Sequence, residues 1–572
     1  NSIMMQPVLI CVSICFVMVS ALPLLQPNHL HFISSSQHIS EEHVHDINNA
    51  FNKAQLMTKH YNQEFSLECT ACKVALDAAL WKYRTANGTY PGLPKFIISM
   101  CEYLKIETRS VCTGMIHLLQ NETLFLLQKL QLSGTKLCGL LFPTTCPGYA
   151  NDLSWNHKKW VVPVPKPHLG KQSKPSLGKL KVLQLSDIHI DLQYKPGSHS
   201  NCKEPLCCRS NDGAGLSEAG FWGTAANCDT PYWTFENLLQ HVSKQKFDYI
   251  LWTGDLPAHN DWNQSRTAQI YLLNNLTNLL THYFPTTPVY PALGNHESSP
   301  VNSFPPNYIT GYNSISWLYD TLAKVWAPWL SPDAIKTVKQ SGFYTMLVKP
   351  GLRMVSLNMN YCNSMNFWML LDPADPNGEL AWLVQTLAAA EENGEVIKIG
   401  GGDCLQVWRN NYHNIVARFS KIIAAQFFGH THKDEIEIQY NDSTLTHPIS
   451  MAYISPSVTT YTKLFPGYRT YEMDKGTWEI LDHSTYILNL TKANAQSPHW
   501  EFEYSAKAEY NLTSLSLKSW HQLYQSWLRG SDSFLKYYRN YYKGNVPSEN
   551  CDTNCRLKLL CLIQTGNYTS PC

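Results

Sequence analysis

Short apolar runs, each followed at once by polar, glycine-containing sequence, recur from about residue 179 to 470. Lys181-Val-Leu-Gln-Leu185, Tyr249-Ile-Leu-Trp252, Val289-Tyr290 and Val396-Ile-Lys-Ile399 are short enough, and rich enough in β-branched and aromatic side chains, to predict strands. Helix-period patterns lie between them, so the segment 179–470 reads as an α/β sandwich. The flanks follow other rules. Upstream, Val74-Ala75-Ala78-Ala79 and Leu118-Leu119-Leu124-Leu127 carry a helix period, and downstream residues 490–572 are rich in Tyr, Trp and Leu at helical spacing. From Pro147 to Gly178 the composition shifts to Pro, Lys and Gly, with Pro163, Pro165 and Pro167 alternating, so 151–178 reads as a semi-rigid extended linker with room for the upstream module to move. A chain of 572 residues is too long for one ordinary core, and two to four domains follow.

The first apolar stretch, Pro7 to Leu25, holds no charge and is short for a membrane span once Pro7 and Pro23 are set aside. Val19-Ser20-Ala21 offers small residues suited to cleavage, so 1–21 reads as a signal peptide, with translation starting at Met4 or Met5. No later run of about 18 apolar residues predicts a transmembrane span. Hydrophobic residues at 44% against 16% charged describe a globular chain, and a net charge of +1 without a basic tract argues against a nucleic-acid partner. The 22 histidines are near neutral at pH 7 but charge on acidification, which would make the surface cationic and favour docking on anionic membranes.

Of the 18 cysteines, Cys11 and Cys15 lie in the leader, and the even number that remains argues for disulfides in an oxidising compartment. Sequons at Asn87, Asn121, Asn263, Asn275, Asn441, Asn489, Asn511 and Asn567 point to the same secretory route. Six cysteines, Cys69, Cys72, Cys101, Cys112, Cys138 and Cys146, crowd into 65–150 and permit fifteen pairings from sequence alone. Four more, Cys551, Cys555, Cys561 and Cys572, staple the C-terminal end.

Chemistry concentrates just after the predicted strands, in Asp187-Ile-His189, Gly254-Asp255, Gly294-Asn295-His296-Glu297 and Gly429-His430-Thr-His432. Asp, Asn and His at strand ends supply the oxygen and nitrogen donors that suit Zn²⁺ or Mn²⁺, and a preceding glycine lets the backbone turn sharply out of the strand. One such motif is weak evidence; four in this order resemble the calcineurin-like metallophosphoesterases. That resemblance implies that Asp255 bridges two metals, that Asp187, His189 and His432 complete one, and that Asn295 and His430 serve the other. It also implies a phosphodiesterase with His296 as general acid and His259 as the second candidate for that role.

The six-cysteine segment resembles a saposin B-type domain, which implies the nested pairs Cys69–Cys146, Cys72–Cys138 and Cys101–Cys112 and helices that engage lipid. Longer stretches, Leu183-Gln-Leu-Ser-Asp-Ile-His-Ile-Asp191, Trp252-Thr-Gly-Asp-Leu-Pro-Ala-His259 and Ala424-Ala-Gln-Phe-Phe-Gly-His-Thr-His-Lys-Asp-Glu435, are similar to the acid sphingomyelinase family, and the likeness spans about 65–572. It implies the pairs Cys202–Cys207, Cys208–Cys228, Cys362–Cys404, Cys551–Cys555 and Cys561–Cys572. It further implies two zinc ions, hydrolysis of sphingomyelin to ceramide and phosphocholine in acid, a membrane-lipid substrate met through the saposin domain, and a lysosomal or secreted protein.

One element of that family is absent. After the strand at Val396–Ile399 the family carries Gly-His followed by Ile-Pro-Pro-Gly, whose His ligates the second metal; here the chain reads Gly400-Gly401-Gly402-Asp403-Cys404. Three explanations stand: a hypoactive paralogue with one metal weakly held; Asp403 as a substitute oxygen ligand, with His413 the poorer substitute because its helix fixes its direction; or an error in the transcript. The function classes left open are therefore the phosphodiesterase, a catalytically impaired lipid-binding protein of the same family, and a phosphodiesterase for nucleotides, against which the six-cysteine segment counts.

Overall fold

The computed structural model describes residues 92–103, 107–130, 133–136, 161–167, 178–399, 404–441, 445–547 and 551–565, with positions 73, 77 and 80. The signal peptide, Cys69, Cys72, Cys138, Cys146 and Cys572, the stretch Gly400 to Asp403, and the sequons at Asn87 and Asn567 lie outside these residues.

Twelve described strands form two six-stranded sheets. They are β1 (Lys179–Leu185), β2 (Tyr249–Trp252), β3 (Val289–Pro291), β4 (Tyr344–Lys349), β5 (Leu352–Ser356), β6 (Val396–Ile399), β7 (Ile423–Phe428), β8 (Glu435–Tyr440), β9 (Pro448–Ile454), β10 (Gly467–Asp474), β11 (Ile480–Leu488) and β12 (Trp500–Ser505). The first sheet runs β12-β11-β10-β1-β2-β3 and the second β4-β5-β6-β7-β9-β8. β1, β2 and β3 are parallel neighbours, as are β5, β6, β7 and β9, so the carboxyl ends of both parallel sets carry the loops that follow them. In open parallel sheets that is where ligands bind.

Alternation along each strand divides the core into layers. On β1, Leu180 and Val182 face between the sheets with Tyr249, Leu251, Met354 and Phe427, whereas Leu183 and Leu185 face an outer helical layer. Numbering the described helices of nine residues or more, α1 is Gly92–Tyr103, α2 Arg109–Leu130, α3 Tyr232–Val242, α4 Arg266–Tyr283, α5 Ser316–Val325, α6 Pro332–Ser341, α7 Glu379–Asn393 and α8 Gln406–Phe419. α3 to α6 cover the first sheet, and α7 with α8 covers the second through Leu380, Leu383, Leu387, Trp408, Ile415 and Phe419. Helices on the outside of two packed sheets make the α/β sandwich that the alternating pattern predicts.

The expected limit of the sandwich at residue 470 is corrected by the pairing. β10 begins at Gly467 and lies beside β1 in the middle of the first sheet, and β11 and β12 extend that sheet to Ser505. The stretch 490–572 is therefore not wholly helical. After β12 come α9 (Leu517–Leu528), α10 (Ser533–Tyr541) and α11 (Thr553–Thr565), which bury Trp520, Trp527, Phe534 and Tyr537 in the same core as the facing sheets. These helices are one body with the sandwich.

Upstream, α1 and α2 are joined by Cys101–Cys112. The buried stripe of α2 is Val111, Cys112, Met115, Ile116, Leu119, Glu122 and Leu126, so a carboxylic acid sits inside an apolar face. At Gly114 an added Cβ would overlap the Trp262 carbonyl, which shows how closely α2 approaches the 3₁₀ turn Asp261–Asn263. Part of the proline-rich stretch is also tied down: Val162 donates its N–H to Asn411 (2.7 Å), and Arg418 donates to the carbonyls of Pro165 (2.6 Å) and Lys166 (2.7 Å). Residues 161–167 thus lie fixed along α8.

The bonds Cys202–Cys207, Cys208–Cys228, Cys362–Cys404 and Cys551–Cys555 are formed, and Cys561 is disulfide-bonded. Among the sequons, Asn121, Asn263, Asn441 and Asn511 are exposed, Asn275 is half-buried, and half-buried Asn489 caps a short helix by accepting from Lys492 N–H.

Candidate metal centre

Asp187 and His189 leave β1, Asp255 leaves β2, Asn295 and His296 follow β3, and His430 and His432 follow β7. Both sheets deliver them to one place. His430 N–H donates to Asp187 (2.6 Å) across the two sheets, and His296 N–H donates to Asp255 (2.9 Å). The glycines act differently from the sequence expectation. Only Gly254 takes a left-handed φ, at +86°, whereas Asp187, His189, Asp255, His430 and His432 are themselves left-handed, with φ from +43° to +77°. Non-glycine residues hold that conformation only where surrounding structure enforces it, and such strain gathers at functional sites. Gly294 and Gly429 serve close approach instead, since a Cβ there would overlap the Asp255 and Asp187 carboxylates.

Two groups of donors converge. In the first, His189 Nε2 and His432 Nε2 face each other at 3.2 Å, and His432 Nε2 lies 3.9 Å from Asp187 Oδ1. His189 holds Nδ1 against the Pro257 carbonyl at 2.7 Å, which makes Nδ1 the protonated nitrogen and leaves Nε2 bare. Ligand atoms of Asp187, His189 and Asp255 fall within 4.8 Å of one another, as do those of His189, His259 and His432. In the second group, His430 Nδ1 lies 3.0 Å from Asn295 Oδ1 and 4.0 Å from Asp255 Oδ2, so Asp255 borders both.

Burial and charge make this set unfavourable without a cation. Burial, then the neighbouring Asp255, pushes Asp187 up to about 7. Burial, then the other imidazoles and, for His432, the nearby Lys543, holds His189 and His432 well below the usual histidine range. Glu297 is pushed up to about 8 by burial and by Asp255, and its carboxylate accepts the N–H groups of Asp255 and Leu256. Bare imidazole nitrogens and crowded carboxylates with few competing donors are what a divalent cation satisfies, so the residues present fit one.

Two further histidines border the group. His296 has Nδ1 3.4 Å from Asp261; burial opposes its charge, but Asp261, with Asp255 and Asp229, prevails and raises it to about 9. His259 is buried, stacks on Tyr461 at 4.0 Å between ring centroids, and keeps Nδ1 within 2.9 Å of Asp229, whereas its buried Nε2 has no hydrogen-bond partner among the described residues. The structure therefore brings together Asp187, His189, Asp255, Asn295, His430, His432, His259 and His296. His413 lies on α8 and is in neither group of converging ligand atoms found among the described residues.

Sequence reasoning missed Asp229, Asp261, Tyr461 and the loop 455–460. Val458 and Thr459 donate their N–H groups to the carbonyls of Ser186 (3.0 Å) and Asp187 (2.9 Å), and Thr459 Oγ1 donates to Asp229 (2.8 Å). Nothing local in Ser455-Pro-Ser-Val-Thr-Thr460 marks it as a support for Asp187, more than 250 residues upstream. Among the described residues no helix is long and apolar enough to cross a membrane.

Comparison with known proteins agrees with this geometry. Residues 180–434 match the calcineurin-like phosphoesterase family, and residues 447–571 match the acid sphingomyelin phosphodiesterase C-terminal region. The chain is similar to sphingomyelin phosphodiesterase of Homo sapiens, 42% identical over 83% of this chain and 77% of the relative. It is likewise similar to sphingomyelin phosphodiesterase 1 of Caenorhabditis elegans, 33% identical over 88% of this chain and 92% of the relative. A Mus musculus cyclic GMP-AMP phosphodiesterase is 31% identical over 68% of this chain and 89% of its own length.

Proposed function

The chain belongs to the sphingomyelin phosphodiesterase family, and from that premise we propose that it hydrolyses sphingomyelin to ceramide and phosphocholine in an acidic compartment, using two zinc ions. The observation that carries the reading is the convergence around Asp255, from the carboxyl ends of both sheets, of a second carboxylate, one amide and three imidazoles. Asp187, His189, Asp255 and His432 would hold one ion; Asp255, Asn295 and His430 would hold the other. Bound there, such ions supply charge to a phosphoryl oxygen and lower the pKa of a water.

The remaining chemistry belongs to the chain. Asp261 beside Nδ1 keeps His296 protonated in acid, so Nε2 is the atom that delivers a proton to the departing alkoxide, a poor leaving group without it. Asp229 fixes the tautomer of His259 with Nε2 facing the centre, which leaves His259 the second candidate for that proton transfer. Helices α1 and α2, stapled by Cys101–Cys112, belong to a saposin B-type domain over 65–150 that presents the lipid. Disulfides and exposed sequons support a lysosomal or secreted location.

The Gly400-Gly-Gly-Asp403 stretch favours a second reading, an impaired enzyme that binds lipid with one metal site weakened. Zinc stoichiometry, measured together with release of phosphocholine from sphingomyelin vesicles and hydrolysis of a soluble phosphodiester, separates the two. Two ions and turnover of both substrates support the enzyme. One ion or none, with vesicle binding but no turnover, overturns it.

A further inference from the structure

Lys543 follows α10, in a segment that carries none of the motifs, yet it is fully buried. Its backbone is left-handed, at φ +52°, and Nζ donates to Ser457 twice, to the carbonyl at 2.9 Å and to Oγ at 2.6 Å. The Ser457 hydroxyl in turn reaches the carbonyls of His432 (3.2 Å) and Thr459 (3.0 Å). The neighbouring residues of the same loop hold the main chain of Ser186 and Asp187, and Thr459 also holds Asp229, which orients His259. One side chain of the C-terminal region therefore fastens a loop that touches the supports of Asp187, His432 and His259 together. A buried lysine is costly unless its donors are used. As an ammonium or as a neutral amine, Nζ keeps at least two N–H donors, so the contact does not depend on charge.

We propose that Lys543 is a positioning residue of the metal centre: through Ser457 it clamps the 455–459 loop, and the loop fixes the main chain that sets the left-handed Asp187 and His432. The proposal rests on reading that centre as the phosphodiesterase site. The left-handed ligands need outside enforcement, and this loop supplies hydrogen bonds to the Asp187 and His432 carbonyls. Apolar packing alone would seat the helices around 517–541 without any lysine.

The test uses the whole 572-residue chain with Lys543→Met, Lys543→Arg, Ser457→Ala and the double variant Lys543→Met/Ser457→Ala. Outer supports of metal ligands typically cost about 10–100-fold in affinity or activity when removed. Lys543→Met is expected to weaken zinc binding to the metal-stripped protein by about 10-fold or more. At saturating zinc it should lower kcat on a soluble phosphodiester with little change in KM, and Lys543→Arg should recover part of both. The double variant should lose less than the sum of the two single losses, because the bond between Nζ and Ser457 Oγ is shared by both. An unchanged zinc affinity in Lys543→Met or Ser457→Ala, or additive losses in the double variant, would overturn the clamp. If Lys543→Met does not fold, Ser457→Ala carries the same zinc test. A wild-type protein that binds zinc but hydrolyses no phosphodiester would overturn the functional reading instead, with the zinc affinities still deciding the clamp.

Discussion

On the N-terminal flank α2 lays Glu122 against Ser303 and Trp368, with Trp368 Nε1 donating to Ser303 at 3.0 Å; on the C-terminal flank α9 lays Trp520 over His483. Each flank buries a titratable group in an apolar seam, Glu122 on one side and His483 on the other, and these two answer acid in opposite senses. Burial raises Glu122 to about 7, against the bond from Ser303, so the docked state holds its proton more tightly than the free helix would. Neither ring nitrogen of His483 has a hydrogen-bond partner among the described residues, and burial, then Arg469, holds it well below 6.5. The seams also support different parts of the site. α2 packs on Trp262 and Tyr461, beside the Asp261 that faces His296 and against the ring that stacks on His259. The C-terminal region, through Lys543 and Ser457, reaches the loop bearing His432. Proton handling leans on one flank and ligand geometry on the other.

The strongest way to break that division is His296→Ala. It should lower the rate by about 10² to 10⁴-fold while zinc content stays at the wild-type value. Loss of zinc along with the rate would show that the two functions are not separable. Next in size, Gly114→Leu forces a side chain into the Trp262 carbonyl and should destabilise the docked helix by about 1–3 kcal/mol. Amide exchange over 109–130 should speed up, and turnover of a soluble phosphodiester should fall with zinc affinity unchanged.

Features legible in the sequence and features hidden by it differ in range. Asp187-Ile-His189 and Gly429-His-Thr-His432 place their donors within a few residues of a strand end, so spacing alone exposes them. β10 pairs with β1 across nearly 300 residues, and nothing inside Gly467–Asp474 says that it closes the sheet; hence the limit set too early at 470. Lys543 and Asp229 act on partners that only the fold brings near, and a lysine in Tyr-Tyr-Lys-Gly reads as a solvated charge. The glycines were legible as important but for another reason, since at Gly294 and Gly429 close approach, not a turn, excludes a side chain.

Two smaller effects sharpen the contrast in acid. A histidine held below its ordinary value stabilises the fold above about pH 6.5 and loses that contribution as the pH falls, because the unfolded state takes up the proton. His483→Phe should therefore raise the thermal midpoint at pH 5 relative to wild type by more than it does at pH 8. For Glu122 the sign reverses: its contribution is whole below about 4.5 and is lost as the pH rises through 7. Glu122→Gln should flatten the pH dependence of exchange protection in α2 over that window. Equal slopes in the variant and wild type would remove Glu122 from the docking equilibrium.

The central claim is that these strand-end residues form a two-metal phosphodiesterase centre. Its most direct test is a zinc titration of the metal-stripped protein at pH 5, following bound zinc and hydrolysis of a soluble phosphodiester in the same samples. The account predicts two ions per chain, the second binding more weakly because no histidine stands in the Gly400–Asp403 stretch, with hydrolysis rising as the second ion binds. Saturation at a single ion, or two bound ions without hydrolysis, would contradict it.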